Sequence, residues 1–290
     1  MNDDELLEVL KFKYKLSAEE HERIQRKINN IMMMDKKANE KPIAIIDIAP
    51  PGSGKTGLNG LGLEQLDGNA VIINNDELKQ FHPYASYLAK EYPEQYVAIT
   101  NLESNAWNDM LFEEAANRRY NIIFEGTGRN LSLLKRLMHQ LQGYSIIVRG
   151  MAVNRFNCLM SIIERYEGQI MTKGYGRITS IETFDKAYNE MLENISQIEG
   201  MDIADTVEIY RRGNVPSEPL KIYDSNNKTY SCAKEAIIVG RQNDLSSAIK
   251  YYNEIFINDR TDSTENVSPL IAVLLDEINN IHKEGKSYEE

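Results

Sequence analysis

Cysteine is almost absent from this chain, and so are the features that a membrane or a nucleic acid demands. Cys158 and Cys232 are the only two in 290 residues, too few for a disulfide framework and without metal-ligand spacing. Cys158 reads as a helix core residue. No apolar run approaches the roughly 20 residues of a membrane span. The N-terminal Met1-Asn2-Asp3-Asp4-Glu5 lacks the basic region and apolar stretch of a secretory leader, so a reducing cytoplasm is the expected location. Basic charge is also in deficit, with 33 Lys and Arg against 44 Asp and Glu and a net charge of −11. A polyphosphate backbone is repelled by that balance unless basic residues cluster locally, which argues against a nucleic acid as main partner.

What is present is an ordinary mixture, 42% hydrophobic and 27% charged, long enough for one large core. Apolar residues among charges over 3–14 predict a first helix. Ser17-Ala18-Glu19-Glu20 predicts a capping box that opens a second, running towards Met34. Pro42–Ile48 is a nearly unbroken apolar run, as in a parallel strand buried on both faces. Similar runs recur at Val71–Ile73, Asn121–Phe124, Tyr144–Val148 and Thr206–Tyr210. They alternate with helical patterns at Tyr96–Arg118, Leu131–Leu141, Val153–Tyr166 and Ser180–Ile198. That alternation predicts a doubly wound, mostly parallel α/β sheet flanked by helices. Beyond Gly213 the pattern predicts a β-hairpin of Lys221–Tyr223 and Lys228–Ser231, then helices over Leu245–Phe256 and Ser268–His282 joined by Asn258–Asn266. The expected organisation is an N-terminal helical segment (1–40), a P-loop kinase core (41–212) and a C-terminal hairpin and helical extension (213–290).

Chemistry enters at Pro51-Gly52-Ser53-Gly54-Lys55-Thr56, which follows the first strand and opens a helix. Gly52, Ser53 and Gly54 can aim backbone N–H groups at phosphate, and the helix adds its positive N-terminal end. Lys55 would reach the β- and γ-phosphates and Thr56 the Mg²⁺ that bridges them, so the cofactors read as ATP or GTP with Mg²⁺. The full phosphate-loop pattern begins with glycine, and here that position holds Ala49. A loop that needs φ > 0 at this point is strained by a Cβ, and Pro50-Pro51 removes two donors.

Ligands of doubly wound sheets bind just past the carboxyl ends of strands, which directs attention to Asn74-Asn75-Asp76 and Glu125-Gly126-Thr127-Gly128-Arg129. A carboxylate there accepts the proton of an attacking hydroxyl or holds Mg²⁺ through water. Asp76 has a second reading, as the cap of the helix beginning at Glu77. Arg165 and Arg177 are candidates to close over the nucleotide and neutralise the transferring phosphoryl group. Alternatively, Arg165 pairs with Glu164 or Glu167 on a solvated face. His82, before Pro83, reads as structural or helix-terminating.

Taken in order, these segments resemble the zeta toxin family of bacterial toxin–antitoxin systems. The matching text is Pro51–Thr56, Asn75-Asp76 with Lys79-Gln80 and His82-Pro83, Tyr120-Asn121 leading into Glu125–Arg129, Met151-Ala152-Val153, and Ile163–Glu167 through to Arg177. The resemblance covers about residues 42–212. It implies a toxin that uses ATP to phosphorylate the 3′-hydroxyl of the amino sugar in UDP-N-acetylglucosamine and so blocks cell-wall synthesis. Asp76 would be the base, and Lys55, Arg165 and Arg177 would serve the γ-phosphate. Asp109, Glu125, Thr127 and Arg129 would bind the sugar nucleotide. Asp109 stands where the family pattern has a glutamate, one methylene longer. A small helical antitoxin is the implied protein partner. Two other readings of the residues stay open: a small-molecule or nucleotide kinase of the same fold, and a nucleotide-binding regulator without turnover.

Overall fold

The computed structural model describes residues 2–176, 178–201, 203–213, 218–257 and 269–287. The N-terminal helices start at their caps. Helix α1 (Asp3–Tyr14) begins from an Asn2/Glu5 capping box, and α2 (Ala18–Met32) from the Ser17/Glu20 box read in the sequence. Each box satisfies two of the amide donors that a helix start leaves open. Both helices dock on α6 (Tyr96–Asn117): Leu16 N donates to Glu103 Oε1 at 3.2 Å, and Trp107 Nε1 to the His21 carbonyl at 3.3 Å.

The centre is a single sheet of β1 (Ile43–Ile48), β2 (Val71–Asn74), β3 (Ile122–Gly126), β4 (Ser145–Met151), β5 (Thr206–Arg211) and β6 (Leu220–Asp224), in spatial order β2-β3-β1-β4-β5-β6. All neighbours are parallel except β5 and β6. From β1 the chain crosses to the edge strand β2 and returns to β3, then crosses β1 to continue outwards through β4 and β5, so the crevice of this doubly wound sheet opens at the carboxyl end of β1.

The two faces of the sheet are covered differently. On one, Ile46, Ile48, Phe124 and Val148 pack with Trp107 and Phe112 of α6, Leu134 of α7 (Leu131–Gln140) and Ile195 of α9 (Ile181–Gly200). On the other, α3 (Lys55–Gln65) lies on Ile45 and Ile123. It sits close because Gly62 faces the sheet, where a Cβ would stand 3.0 Å from Ile123 Cδ1.

The hairpin expected from Lys221–Tyr223 and Lys228–Ser231 does not form. Leu220–Asp224 pairs antiparallel with β5, and Lys221 Nζ reaches across to Glu208 at 2.8 Å. An exposed edge of β5 would leave a row of open backbone groups. Closing it stabilises more than a two-stranded hairpin standing alone. The turn falls at 225–226, and residues 228–231 follow it as an irregular, bent segment. A further helix not expected from the sequence, α10 (Ala233–Asn243), also forms, and its Ala236 and Ile237 enter the main core. Its interior Gly240 is what weakens the local helix signal, yet a Cβ there would lie 2.6 Å from that of Ala152. Helix α11 (Leu245–Tyr251), the π-turn Tyr252–Phe256 and α12 (Pro269–Ser287) pack around α8 (Arg155–Lys173). No helix among the described residues is long and apolar enough to cross a membrane.

Candidate active site

The loop between β1 and α3 is closed on itself by short local bonds. Ser53, fully buried, donates its hydroxyl to the Pro50 carbonyl at 2.8 Å. Lys55 Nζ donates to the Ala49 and Pro50 carbonyls at 2.9 and 3.2 Å. Positive φ falls at Gly52 (76°) and Gly54 (92°), and Ala49 lies outside that region. The strain anticipated from the missing first glycine is therefore absent. Ala49 continues the line of β1, donates its N–H to the Gly126 carbonyl at 3.1 Å and is fully buried. Gly52 is the position that tolerates no side chain, since a Cβ would collide with the Cys158 carbonyl of α8. Cys158 is core, as read, and burial pushes its thiol up to about 12.

No side chain caps the N-terminus of α3, so its first amides and its positive end face the crevice. Thr56 is exposed there. Lys55 is held below the usual ammonium range by burial, against the upward pull of Glu125 and Asp76, while Arg165 adds to the lowering. Lys55 thus lies within electrostatic reach of Glu125, Asp76 and Arg165.

Across the crevice, Asn74 and Glu125 are register partners on β2 and β3. Asp76 follows in the first turn of α4 (Asn75–Leu78). The capping role is filled by Asn74, whose Oδ1 accepts from Asp76 N at 2.9 Å, which leaves the Asp76 carboxylate directed elsewhere. It takes a 2.7 Å bond from Lys79 Nζ, a lysine almost completely buried, while its own side chain remains 55% exposed. Burial, then Glu125 and Asp76, push the neighbouring Glu77 carboxyl up. His82 caps the short 3₁₀ turn Lys79–Phe81, is buried and is held below its usual range by that burial.

Beyond this pair, Asn75 Nδ2 donates to Asn105 Oδ1 at 2.9 Å, tying α4 to α6. One turn later on α6, Asp109 receives both bonds from one Arg136 nitrogen of α7, at 2.9 and 3.1 Å. Thr127 and Arg129 occupy the loop after β3, and Gly128 between them has φ 73°. A Cβ at Gly128 would lie 2.9 Å from Met191 Cγ. Asn194 Nδ2 fixes the loop by donating to the Gly128 carbonyl at 2.7 Å. Arg165 is exposed on α8, one turn past Ile162, which packs against Gly52. Glu164 is taken by the Tyr251 hydroxyl. Arg177 lies outside the described residues, as does the 258–266 connection.

The same order of segments is matched by the family model described as Zeta toxin, over residues 29–228. The chain belongs to the zeta toxin family. It is 30% identical to "Toxin zeta" of Enterococcus hirae over 209 residues, 71% of each chain. It is 29% identical to "Toxin PezT" of Streptococcus pneumoniae over 201 residues, 68% of this chain and 78% of that one. Among solved structures, one from the PezAT chromosomal toxin-antitoxin system of Streptococcus pneumoniae superposes with a TM-score of 0.71 at 22% identity, covering 84% of this chain and 98% of that one. The AvrRxo1-ORF1:-ORF2 structure with ATP aligns at a TM-score of 0.52 and 11% identity, over 77% of this chain and 71% of that one. Both share its P-loop kinase fold.

In this zeta toxin family member, three more groups border the site, of which Asn59 and Arg212 stand outside the matching text and Lys79 belongs to it without an assigned role. Asn59 of α3 donates to Glu125 Oε2 at 2.7 Å. Arg212, just past β5, donates to Ser161 Oγ at 2.9 Å and to the Gly52 carbonyl, so it braces the phosphate loop from beneath. Lys79 orients Asp76. For Asn59 the one available signal was spacing: it stands one helical turn after Lys55, on the side that faces the sheet.

Proposed function

We propose that this protein is an ATP-dependent toxin kinase that phosphorylates the 3′-hydroxyl of the amino sugar in UDP-N-acetylglucosamine. The observation that carries the reading is the meeting of Lys55 at the uncapped start of α3 with Asp76 and Glu125 at the adjoining strand ends. The loop fits a nucleotide phosphate: Gly52 keeps the cradle free of a Cβ, the α3 amides are open, and Lys55 currently holds two carbonyls that a phosphate can replace. Thr56 is exposed beside them, in the position to hold Mg²⁺. Bound ATP with Mg²⁺ supplies the transferable phosphoryl group, and the metal draws charge from its oxygens.

The chain's own residues then have separable tasks. Asp76 accepts the proton of the sugar hydroxyl as that oxygen bonds to the γ-phosphorus and the bond to the β–γ bridging oxygen breaks. Lys79 fixes the Asp76 carboxylate. Glu125, Thr127, Arg129 and Asp109 hold the acceptor, and Lys55, Arg165 and Arg177 offset charge on the transferring group. The family's toxins, and the toxin–antitoxin systems named among the relatives, support a small antitoxin as the controlling partner. The choice of acceptor rests on family membership and on a carboxylate base beside the loop.

Incubation of the protein with ATP, Mg²⁺ and UDP-N-acetylglucosamine, read by mass spectrometry, is expected to yield the sugar nucleotide plus one phosphate. Turnover of other sugar nucleotides or nucleosides with none of this product would overturn the acceptor assignment. ATP binding without consumption would overturn the kinase assignment.

A further inference from the structure

One row of the sheet is polar from edge to edge and carries ionisable side chains on every strand except β2. Register pairs Asn74 with Glu125, Glu125 with Asp47, Asp47 with Arg149, Arg149 with Glu208 and Glu208 with Asp224. Register partners project from the same face of a sheet, here the face beneath α3. The outer part of the row is well partnered: Arg149 Nε donates to Glu208 Oε2 at 2.9 Å, the Tyr210 hydroxyl to the same oxygen at 2.9 Å, and Lys221 Nζ to Glu208 Oε1 and Asp224 Oδ2. The inner part is not. Both oxygens of Asp47, fully buried on the central strand, find no hydrogen-bond partner among the described residues, and neither does Arg149 Nη1 or Asn59 Oδ1. A buried carboxylate in that condition is costly unless it takes a proton or an ion pair.

The groups facing Asp47 define both options. From β3 comes the Glu125 carboxylate, from β4 the Arg149 guanidinium, from β5 Glu208 beyond it, and from α3 the Lys55 ammonium with the neutral Asn59 and Gln65. Neighbouring strands stand about 4.8 Å apart. Protonated, Asp47 can donate to Glu125; ionised, it can accept from the unpartnered Nη1 of Arg149.

We propose that Asp47 is a positioning residue of the site, which trades a proton shared with Glu125 for an ion pair with Arg149 and so sets the charge beneath the phosphate loop. This rests on the nucleotide reading given above. The two options are a proton and an ion pair, since the described residues contain no cluster of side chains that could hold a metal ion. Burial pushes the Asp47 carboxyl up to about 7, with Glu125 and Glu208 adding to the rise and Arg149 and Lys55 opposing it. The proton is therefore exchanged in the physiological range. An ionised Asp47 places one more negative charge two residues before Ala49, whose carbonyl holds Lys55, and a polyanion binds less well there.

The sign is fixed by linkage. A carboxyl whose folded pKa lies above its unfolded one stabilises the fold at low pH, and that contribution is lost as pH rises from about 4 to about 7. Urea unfolding without nucleotide is expected to show wild type losing stability relative to Asp47→Asn across this window; a pH-independent difference would overturn the proton. Calorimetric binding of ATP with Mg²⁺ is expected to weaken about fivefold between about pH 6 and about pH 8, the greater part of the roughly tenfold limit set by a one-unit rise of the Asp47 pKa on binding. In Asp47→Asn the affinity should stay at the wild-type low-pH value. An equal slope in both proteins would overturn the positioning role while leaving the proton intact. If neither protein binds ATP at any pH, the nucleotide reading and the positioning role fail together, and the unfolding comparison still decides the proton. Should the variant not fold, carbon-13 titration of aspartate-labelled wild type substitutes: one carboxyl with a near-neutral midpoint is expected, and none would overturn the proposal.

Discussion

The phosphate half and the acceptor half of the proposed site are built by different means. The bonds and turns that close the first on itself lie within seven consecutive residues: Ala49 and Pro50 supply the carbonyls, Ser53 and Lys55 bond to them, and Gly52 and Gly54 supply the positive φ. The second is assembled from α4, β3, α6 and α7, through contacts such as Asn59 to Glu125 and Asp109 to Arg136 that are 66 and 27 residues apart in sequence. The first is tightly packed against α8. In the second, Asp76 and Asp109 expose about half of their side chains, 55% and 44%. One half should therefore fail through volume and backbone, the other through charge.

The largest effect is expected from Gly52→Ala. The new Cβ meets the Cys158 backbone in a left-handed conformation, costing about 2–5 kcal/mol from the two penalties together. Urea unfolding should show that loss, and ATP binding should vanish with it. Full stability and affinity in this variant would break the contrast at its stronger end.

Asp76→Asn is the opposite kind of change. The side chain keeps its shape and half its surface is in water, so the fold should hold within about 0.5 kcal/mol. Turnover is expected to fall about 10²–10⁴-fold, the usual worth of a positioned base, with the KM for ATP nearly unchanged. Unaltered turnover would remove Asp76 from the base role. Lys55→Met should cost about 10²–10³-fold in kcat, as removal of a transition-state charge partner does elsewhere, and should weaken ATP binding as well.

That contrast also explains what could be read in advance. The alternation of apolar runs and amphipathic stretches located the strands of the core and most of its helices, because burial on both faces of a parallel sheet imposes an unbroken apolar text. The phosphate loop was legible because its geometry is local. Strand ends pointed to Asp76 and Glu125. Lys79 was not legible as a partner, and Asn59 only through its spacing one turn after Lys55, since a linear text does not otherwise say which polar residue of a helix turns inward. Asp47 was hidden for a related reason: a single acid inside Ile43–Ile48 reads as an interruption of a strand, and only the register reveals that it stands between Glu125 and Arg149. The β6 pairing was missed because an edge strand is chosen by the sheet it completes.

A smaller effect is expected at Asp109, whose bond to Arg136 is exposed on both sides. Such surface pairs contribute about 0–1 kcal/mol, so Asp109→Ala should leave the unfolding curve almost unmoved. If Asp109 holds the acceptor, the KM for the sugar nucleotide should rise several-fold while that for ATP stays level. A rise in the ATP KM alone would assign Asp109 to the wrong half.

The smallest effect on turnover belongs to Ala49→Gly, the change that restores the first glycine of the phosphate-loop pattern. If that glycine were needed for a positive φ, the substitution would relieve strain and strengthen ATP binding. Ala49 has no such φ; it extends β1, bonds to Gly126 and buries its methyl group with Met151 and Leu58. Glycine there adds backbone entropy to the unfolded chain and removes a packed methyl, for a loss of about 1–2 kcal/mol. Calorimetry should find the ATP affinity unchanged and unfolding should find the protein weaker, because at this position the loop is held by its continuity with the strand.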